Sequence, residues 1–200
     1  MSLETELKFF CSDLEEVRKN LRQIGAKFES RFFEENIVFD TPERSLRCSG
    51  ILLRLRRTDK NVLCLKQPMP DKDREVKSRR EIETKVEDFV QMRIILEGLG
   101  YQAALSYEKV REKWQLDRCT VCLDILPFAN FVELEAQQEE IYSCASDLRL
   151  KTEDSTIKSY HELNREYQKQ QGLVQDESFV FAEPTRSELI YNLHKDNFQA

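Results

Sequence analysis

The 200-residue chain is long enough for one domain with a modest appendage, and its 31 basic and 37 acidic residues give a net charge of −6. This balance argues against a protein that neutralises nucleic-acid phosphates over its whole surface, although a local basic pocket could still bind a small anion. No apolar run reaches the ~20 residues of a membrane span, and the cysteines show no disulfide framework, so we expect a cytoplasmic protein.

Helical periodicity first appears near the N-terminus, where Ser12 and Glu15 match a capping box and Gly25 provides a stop. Three further amphipathic segments follow along the chain. The helices are predicted at residues 12–24, 86–97, 138–148 and 159–170.

Eight segments have the residue types and alternation of β-strands. They are residues 3–9, 33–40, 50–57, 61–67, 78–85, 105–114, 119–126 and 130–136. Mostly short links join them, which favours an antiparallel sheet large enough to close. The predicted fold is therefore α+β, a closed eight-stranded antiparallel β-barrel with the helices packed outside.

Residues 173–200 are predicted to form an appendage to a body at residues 1–172. Phe179-Val180-Phe181 is expected to be a short extended piece, and Pro184-Thr185 opens a helix. This segment could pack against the body or cover an opening.

Charged residues alternate with apolar ones along the first strand, where Glu4, Glu6 and Lys8 share one face. Taken alone, this pattern is typical of a solvated outer face. The pattern recurs, with both signs, at Arg54, Arg56, Lys66, Glu81, Glu83, Lys109, Arg111, Lys113, Asp124, Glu133 and Glu135. In one closed sheet these faces would converge on a common interior, which must then be wet, internally paired or filled by a charged ligand.

The two signs of charge indicate the kind of ligand. Converging lysines and arginines suit a multiply charged anion, and clustered carboxylates suit a hard divalent cation that also binds phosphate oxygens. The chain has no glycine-rich loop of the Walker type, so a P-loop nucleotide site is not predicted.

Several motifs, spread over residues 3–167, resemble the CYTH domain family, also called triphosphate tunnel metalloenzymes. The N-terminal signature is Glu4-x-Glu6-x-Lys8. The matches that follow are Phe39-Asp40-Thr41-Pro42, Gly50-Ile51-x-Leu53-Arg54-x-Arg56, Leu63-x-Leu65-Lys66, Arg80-Glu81-Ile82-Glu83, Tyr107-Glu108-Lys109-Val110-Arg111, Asp124, Phe131-Val132-Glu133-Leu134-Glu135 and Lys158-Ser159-Tyr160.

The resemblance implies an eight-stranded tunnel that binds a triphosphate with Mg²⁺ or Mn²⁺. It implies metal binding by Glu4, Glu6, Glu133 and Glu135. It implies phosphate binding by Lys8, Arg54, Arg56, Lys66, Lys109, Arg111 and Lys158. It implies catalytic roles, such as orienting bases or activating water, for Lys8, Glu81, Glu83 and Asp124.

Three functions follow as expectations. The first is metal-assisted hydrolysis of an inorganic, nucleoside or thiamine triphosphate. The alternative is a class IV adenylate cyclase that converts ATP to cyclic AMP and pyrophosphate, and the third is a non-catalytic polyphosphate or nucleotide binder. A small-molecule triphosphate is the expected partner, without nucleic acid or membrane, and the sequence leaves monomer and homodimer open.

Overall fold

The structure is a computed structural model that describes residues 2–69 and 77–197, with the side chains of residues 5–69 and 78–195. Eight strands of six residues or more lie in these ranges. They are β1 (Ser2–Phe10), β2 (Lys27–Asp40), β3 (Leu52–Arg57), β4 (Asn61–Pro68), β5 (Lys77–Val86), β6 (Gln102–Leu116), β7 (Cys119–Ile125) and β8 (Asn130–Glu135).

The strands form one antiparallel sheet in the order β5-β4-β3-β2-β6-β7-β8-β1, and β1 also pairs with β5. This last pairing closes the sheet into a ring, so the predicted closed eight-stranded barrel is confirmed. A two-residue strand, β9 (Ser155–Thr156), pairs with β1 near Lys8. Strands β2 and β6 begin earlier than predicted because they pair with each other over most of their length.

The helices lie outside the ring. They are α1 (Leu14–Gln23), α2 (Ser45–Cys48), α3 (Phe89–Gly98), α4 (Gln138–Asp147), α5 (Tyr160–Gln170) and α6 (Thr185–Asn197). The predicted capping box at Ser12 is wrong, because Asp13 is the N-cap of α1 and its carboxylate accepts the amides of Glu15 and Glu16. A carboxylate at this position accepts hydrogen bonds from two free N–H groups, and its negative charge interacts favourably with the helix dipole.

The hydrophobic core lies between the ring and the helices. Leu7 and Phe9 of β1 point outward and are almost fully buried against Leu21 of α1 and Ile141 of α4. The intervening Lys8 points inward. The barrel is therefore reversed relative to small barrels whose interior is filled with apolar side chains.

The segment after α5 turns back along the ring, where Phe179 pairs with Tyr107 of β6 and α6 packs near β2. The division between residues 1–172 and 173–200 stays a prediction. In the described part of the chain, no helix has the length and apolar character needed to cross a membrane.

Candidate active site

The ring encloses a cavity of about 740 Å³ whose wall is mostly charged. The predicted site residues Glu6, Lys8, Arg54, Arg56, Lys66, Glu81, Glu83, Lys109, Arg111, Glu133 and Glu135 all line it. The alternation along the strands thus brings both signs of charge to one interior. We call this cavity the tunnel.

Lys8 lies between two carboxylates inside the tunnel. Its Nζ atom is 2.6 Å from Oε1 of Glu6 and 3.2 Å from Oε2 of Glu133. Burial alone would lower the pKa of Lys8, but Glu133 and Glu6 outweigh it and raise the pKa above its usual value. Lys8 therefore stays a cation although its side chain is only 3% exposed.

Asp124 is fully buried just behind the tunnel surface and holds two of the basic side chains. Its carboxylate accepts Nε and Nη2 of Arg111 at 2.7 and 2.6 Å, and Nζ of Lys109 at 3.1 Å. The hydroxyl of Tyr160 donates to it at 2.7 Å. These contacts hold Lys109 and Arg111 in place, and the catalytic role of Asp124 stays a prediction.

Arg111 joins this arrangement to the β8 carboxylates. Its Nη2 atom is 2.7 Å from Glu133, and its Nη1 atom is 3.3 Å from Glu135. Burial opposes ionisation of Glu133, but Lys8 and Arg111 lower its pKa well below the usual value. Glu133 is therefore an anion throughout the neutral range.

A second charged cluster lies on β3, β4 and β5. Arg56 Nη2 is 2.9 Å from Glu83, and Lys66 Nζ is 3.3 Å from Glu81. The thiol of Cys64 lies 3.0 Å from Glu81, and burial raises its pKa to about 12. Cys64, Glu81 and Glu83 offer ligand atoms within 4.8 Å of one another. The thiol stays protonated, so the carboxylates are the better donors here.

Arg54 belongs to this cluster but contacts its carboxylates only loosely. Its guanidinium lies 3.9–4.0 Å from Glu34, Glu81 and Glu83. Its Nη1 atom instead donates to the hydroxyl of Tyr107 at 2.8 Å. The tyrosine therefore fixes this arginine more closely than the acids do.

Sequence reasoning assigned no site role to several described residues of the tunnel, among them Glu34, Tyr107 and Tyr160. Burial opposes ionisation of Glu34, but Lys109 and Arg54 lower its pKa to about 2. Tyr160 lies beneath two ammonium groups, Lys8 Nζ at 5.2 Å and Lys109 Nζ at 5.4 Å from the ring centre. Both tyrosines stand inside the matched motifs, and that position was the available signal.

One predicted residue, Lys158, is not brought into the tunnel cluster. Lys158 Nζ is 2.6 Å from Glu166, and both side chains are half exposed on the outside. The phosphate-binding role of Lys158 stays a prediction. The side chain of Glu4 lies outside the described residues.

The tunnel has the donor chemistry that a hard divalent cation needs. Glu6 and Glu135 are directly opposed on β1 and β8, with Glu133 beside them. Opposed carboxylates repel each other, and carboxylate oxygens are the usual protein ligands of Mg²⁺. These residues therefore fit a divalent cation, which would relieve the repulsion.

Comparison with known proteins agrees with this geometry. A family model described as the CYTH domain matches residues 2–166. A Methanocaldococcus jannaschii protein with a provisional name as an adenylate cyclase is 30% identical over 172 residues, covering 80% of this chain and 98% of its own length.

Solved structures share the fold. A Pyrococcus horikoshii protein is 26% identical with a TM-score of 0.69, covering 80% of this chain and 98% of its own. A Hippeastrum protein, first considered an adenylyl cyclase and reported to have a dominant triphosphatase activity, is 16% identical with a TM-score of 0.60, covering 88% and 99%. With the family model matching most of its length, the chain belongs to the CYTH domain family.

Proposed function

We propose that the chain is a metal-dependent triphosphatase that hydrolyses a small triphosphate inside the tunnel. The observation that carries the proposal is the continuous belt of ion pairs that runs from Glu6 through Lys8, Glu133, Arg111 and Asp124 to Lys109. A belt of this kind faces a cavity of about 740 Å³, which is ample for a triphosphate.

The charges of the tunnel nearly balance. The basic residues that line it are Lys8, Arg31, Arg54, Arg56, Lys60, Lys66, Arg79, Lys109, Arg111 and Lys113. The acidic residues that line it are Glu6, Glu29, Glu34, Asp59, Glu81, Glu83, Glu133 and Glu135, and Asp124 lies just behind the surface. A bare polyanion would upset this balance, whereas a triphosphate with divalent cations would add little net charge and exchange one set of ion pairs for another.

The residues divide the chemical work. Lys8, Lys109 and Arg111 would bind phosphate oxygens, and Asp124 keeps the last two in position. Glu6, Glu133 and Glu135 would hold Mg²⁺ or Mn²⁺, which when bound supplies charge neutralisation at the phosphates. On β5, Glu81 or Glu83 would accept a proton from the attacking water. Phosphoryl transfer needs this neutralisation and positioning more than it needs a reactive side chain.

Cyclisation of ATP is the second candidate, supported by the provisional name of the M. jannaschii relative. The same residues would bind the triphosphate, but the nucleophile would be the ribose 3′-hydroxyl, the reacting atom would be the α-phosphorus, and pyrophosphate would leave. The report of triphosphatase activity for the Hippeastrum protein supports the view that this fold can carry out hydrolysis.

The test is to incubate the full chain with tripolyphosphate, thiamine triphosphate or ATP, each with Mg²⁺ or Mn²⁺. Release of orthophosphate would support hydrolysis, and cyclic AMP with pyrophosphate would support cyclisation instead. Binding without turnover would contradict both and leave a non-catalytic binder.

A substitution then tests the proposed residues. We expect Glu6→Gln to lower turnover at least a hundredfold while the circular dichroism spectrum stays native. Glu153→Gln is the matched control, because this side chain is 76% exposed and lies outside the tunnel. Normal turnover in Glu6→Gln would reject the metal role of Glu6.

A further inference from the structure

The C-terminal segment, residues 173–197, lies beyond the part of the chain that matches the family model. It fills an open edge of β6. Strand β7 pairs with β6 only from Val110 onward, so the preceding backbone groups on that side need other partners. Phe179 supplies them, since its amide donates to Ser106 O at 3.1 Å and its carbonyl accepts the Glu108 amide at 3.0 Å.

Ion pairs hold the segment in this register. Arg186 donates to Glu108 at 2.8 Å and to Glu35 at 2.7 Å, both on the outer face of the ring. Glu108 also accepts the amide of Phe181 at 3.0 Å. These contacts attach the segment to β2 and β6 together, which fixes the position of Phe179 along β6.

The ring of Phe179 packs on a residue of the tunnel. It is 5% exposed, and its centre lies 5.1 Å from the centre of the Tyr107 ring. His161 packs edge-on against the same tyrosine at 5.1 Å. Tyr107 thus packs against an α5 residue and a residue of the C-terminal segment, whose rings also lie 5.1 Å from each other.

The hydroxyl of Tyr107 in turn holds Arg54. Its bond to Nη1 is 2.8 Å long, whereas the nearest carboxylates are 3.9–4.0 Å away, beyond hydrogen-bonding distance. Among the described residues, the buried Nε atom of Arg54 has no hydrogen-bond partner. The orientation of the guanidinium therefore depends on the tyrosine.

We propose that the C-terminal segment positions Arg54 for the phosphate oxygens of the substrate, with Phe179 and Tyr107 as positioning residues. The inference rests on the proposed function, since it takes Arg54 as a ligand of the triphosphate. It makes affinity for the substrate depend on a segment outside the matched domain.

The test measures the Kd of tripolyphosphate by calorimetry and KM and kcat by phosphate release, using full-length variants. Tyr107→Phe keeps the ring and removes only the hydroxyl, so we expect Kd and KM to rise about tenfold, the size expected for a hydrogen bond to a charged group. Phe179→Ala should raise both constants by a similar factor. The double variant should be no more than about twofold weaker than either single variant, because both act through one contact.

Controls separate positioning from general damage. Val180→Ala, next along the segment and half exposed, should leave Kd unchanged. A merely structural role would lower kcat through a smaller folded fraction and leave KM unchanged. If Phe179→Ala does not fold, Phe179→Leu takes its place, and an unchanged Kd in that variant would overturn the role of the segment.

Arg54→Gln distinguishes this inference from the proposed function. Weaker binding in Arg54→Gln together with unchanged Kd in Tyr107→Phe and Phe179→Ala would overturn the positioning role alone. Unchanged binding in Arg54→Gln would overturn the assignment of Arg54 to the substrate. A wild-type protein that binds no triphosphate would overturn both.

Discussion

Lys8 and Glu133 are cross-strand neighbours on β1 and β8, and their side chains meet 3.2 Å apart inside the tunnel. Each has a second partner of opposite charge, Glu6 for the lysine and Arg111 for the glutamate. Buried charges are tolerated when they are paired on several sides. The tunnel is therefore stable as a charged interior before any ligand enters, and a ligand must compete with its internal ion pairs.

Substitution of Asp124 tests how much this ion pairing stabilises the fold. Replacing it by Asn leaves Lys109 and Arg111 buried without their shared carboxylate. We expect the free energy of unfolding to fall by about 3–5 kcal/mol, as when one partner of a buried ion pair is removed. Urea denaturation measures the change. Asp154→Asn, on an exposed residue, should stay within about 0.5 kcal/mol of wild type; equal stability of the two variants would contradict the role of Asp124.

Arg111→Lys tests the geometry of the guanidinium. Arg111 reaches Asp124, Glu133 and Glu135 at once, and a lysine ammonium cannot reproduce the paired contacts to Asp124. We expect the Kd of tripolyphosphate, measured by calorimetry, to rise at least tenfold. Arg118→Lys is the control because its side chain is 85% exposed. Wild-type affinity in Arg111→Lys would show that charge alone is sufficient there.

Removal of divalent cations should abolish turnover and lower the melting temperature. Glu6 and Glu135 would hold Mg²⁺, which would offset their repulsion, so added Mg²⁺ should raise the melting temperature measured by calorimetry. Glu135→Gln should reduce that rise by at least half, whereas Glu139→Gln, on an exposed residue of α4, should preserve it. The same rise in wild type and Glu135→Gln would exclude this carboxylate from the metal site.

The lowered pKa of Glu34 predicts that the free energy of unfolding depends on pH in the acid range. A carboxyl whose folded pKa is about 2, below the usual 4.5, contributes stability above pH 4.5 and loses it as the pH falls toward 2. The full contribution is about 3 kcal/mol. Urea denaturation between pH 7 and pH 2 should show that Glu34→Gln has a shallower loss than wild type in this window. An unchanged slope would mean that folding does not lower the pKa of Glu34.

Alternation predicted the tunnel where neighbouring residues differ clearly in character. Lys8 between Leu7 and Phe9, and Arg54 and Arg56 around Leu55, assign their own faces. Alternation along one strand does not say whether the charged face is turned inward or outward. The recurrence of charged faces on several strands indicated that it is turned inward.

The same rule failed where neighbours are alike. Glu34 and Glu35 are adjacent acids of β2, and nothing in the pair reveals that the first faces the tunnel and the second faces Arg186. Glu108 stands among matched motif residues but faces the C-terminal segment. Contacts between residues distant in sequence decide these cases, and no local pattern encodes them.

The position of the hydrophobic core, outside the ring and under the helices, has a consequence for how such proteins diverge. Core residues under the helices, such as Phe9 and Leu21, do not line the tunnel. Lining residues can therefore be exchanged in pairs of opposite charge with little disturbance of the core. Evolution or protein design can therefore change the ligand that the tunnel binds while the fold is preserved.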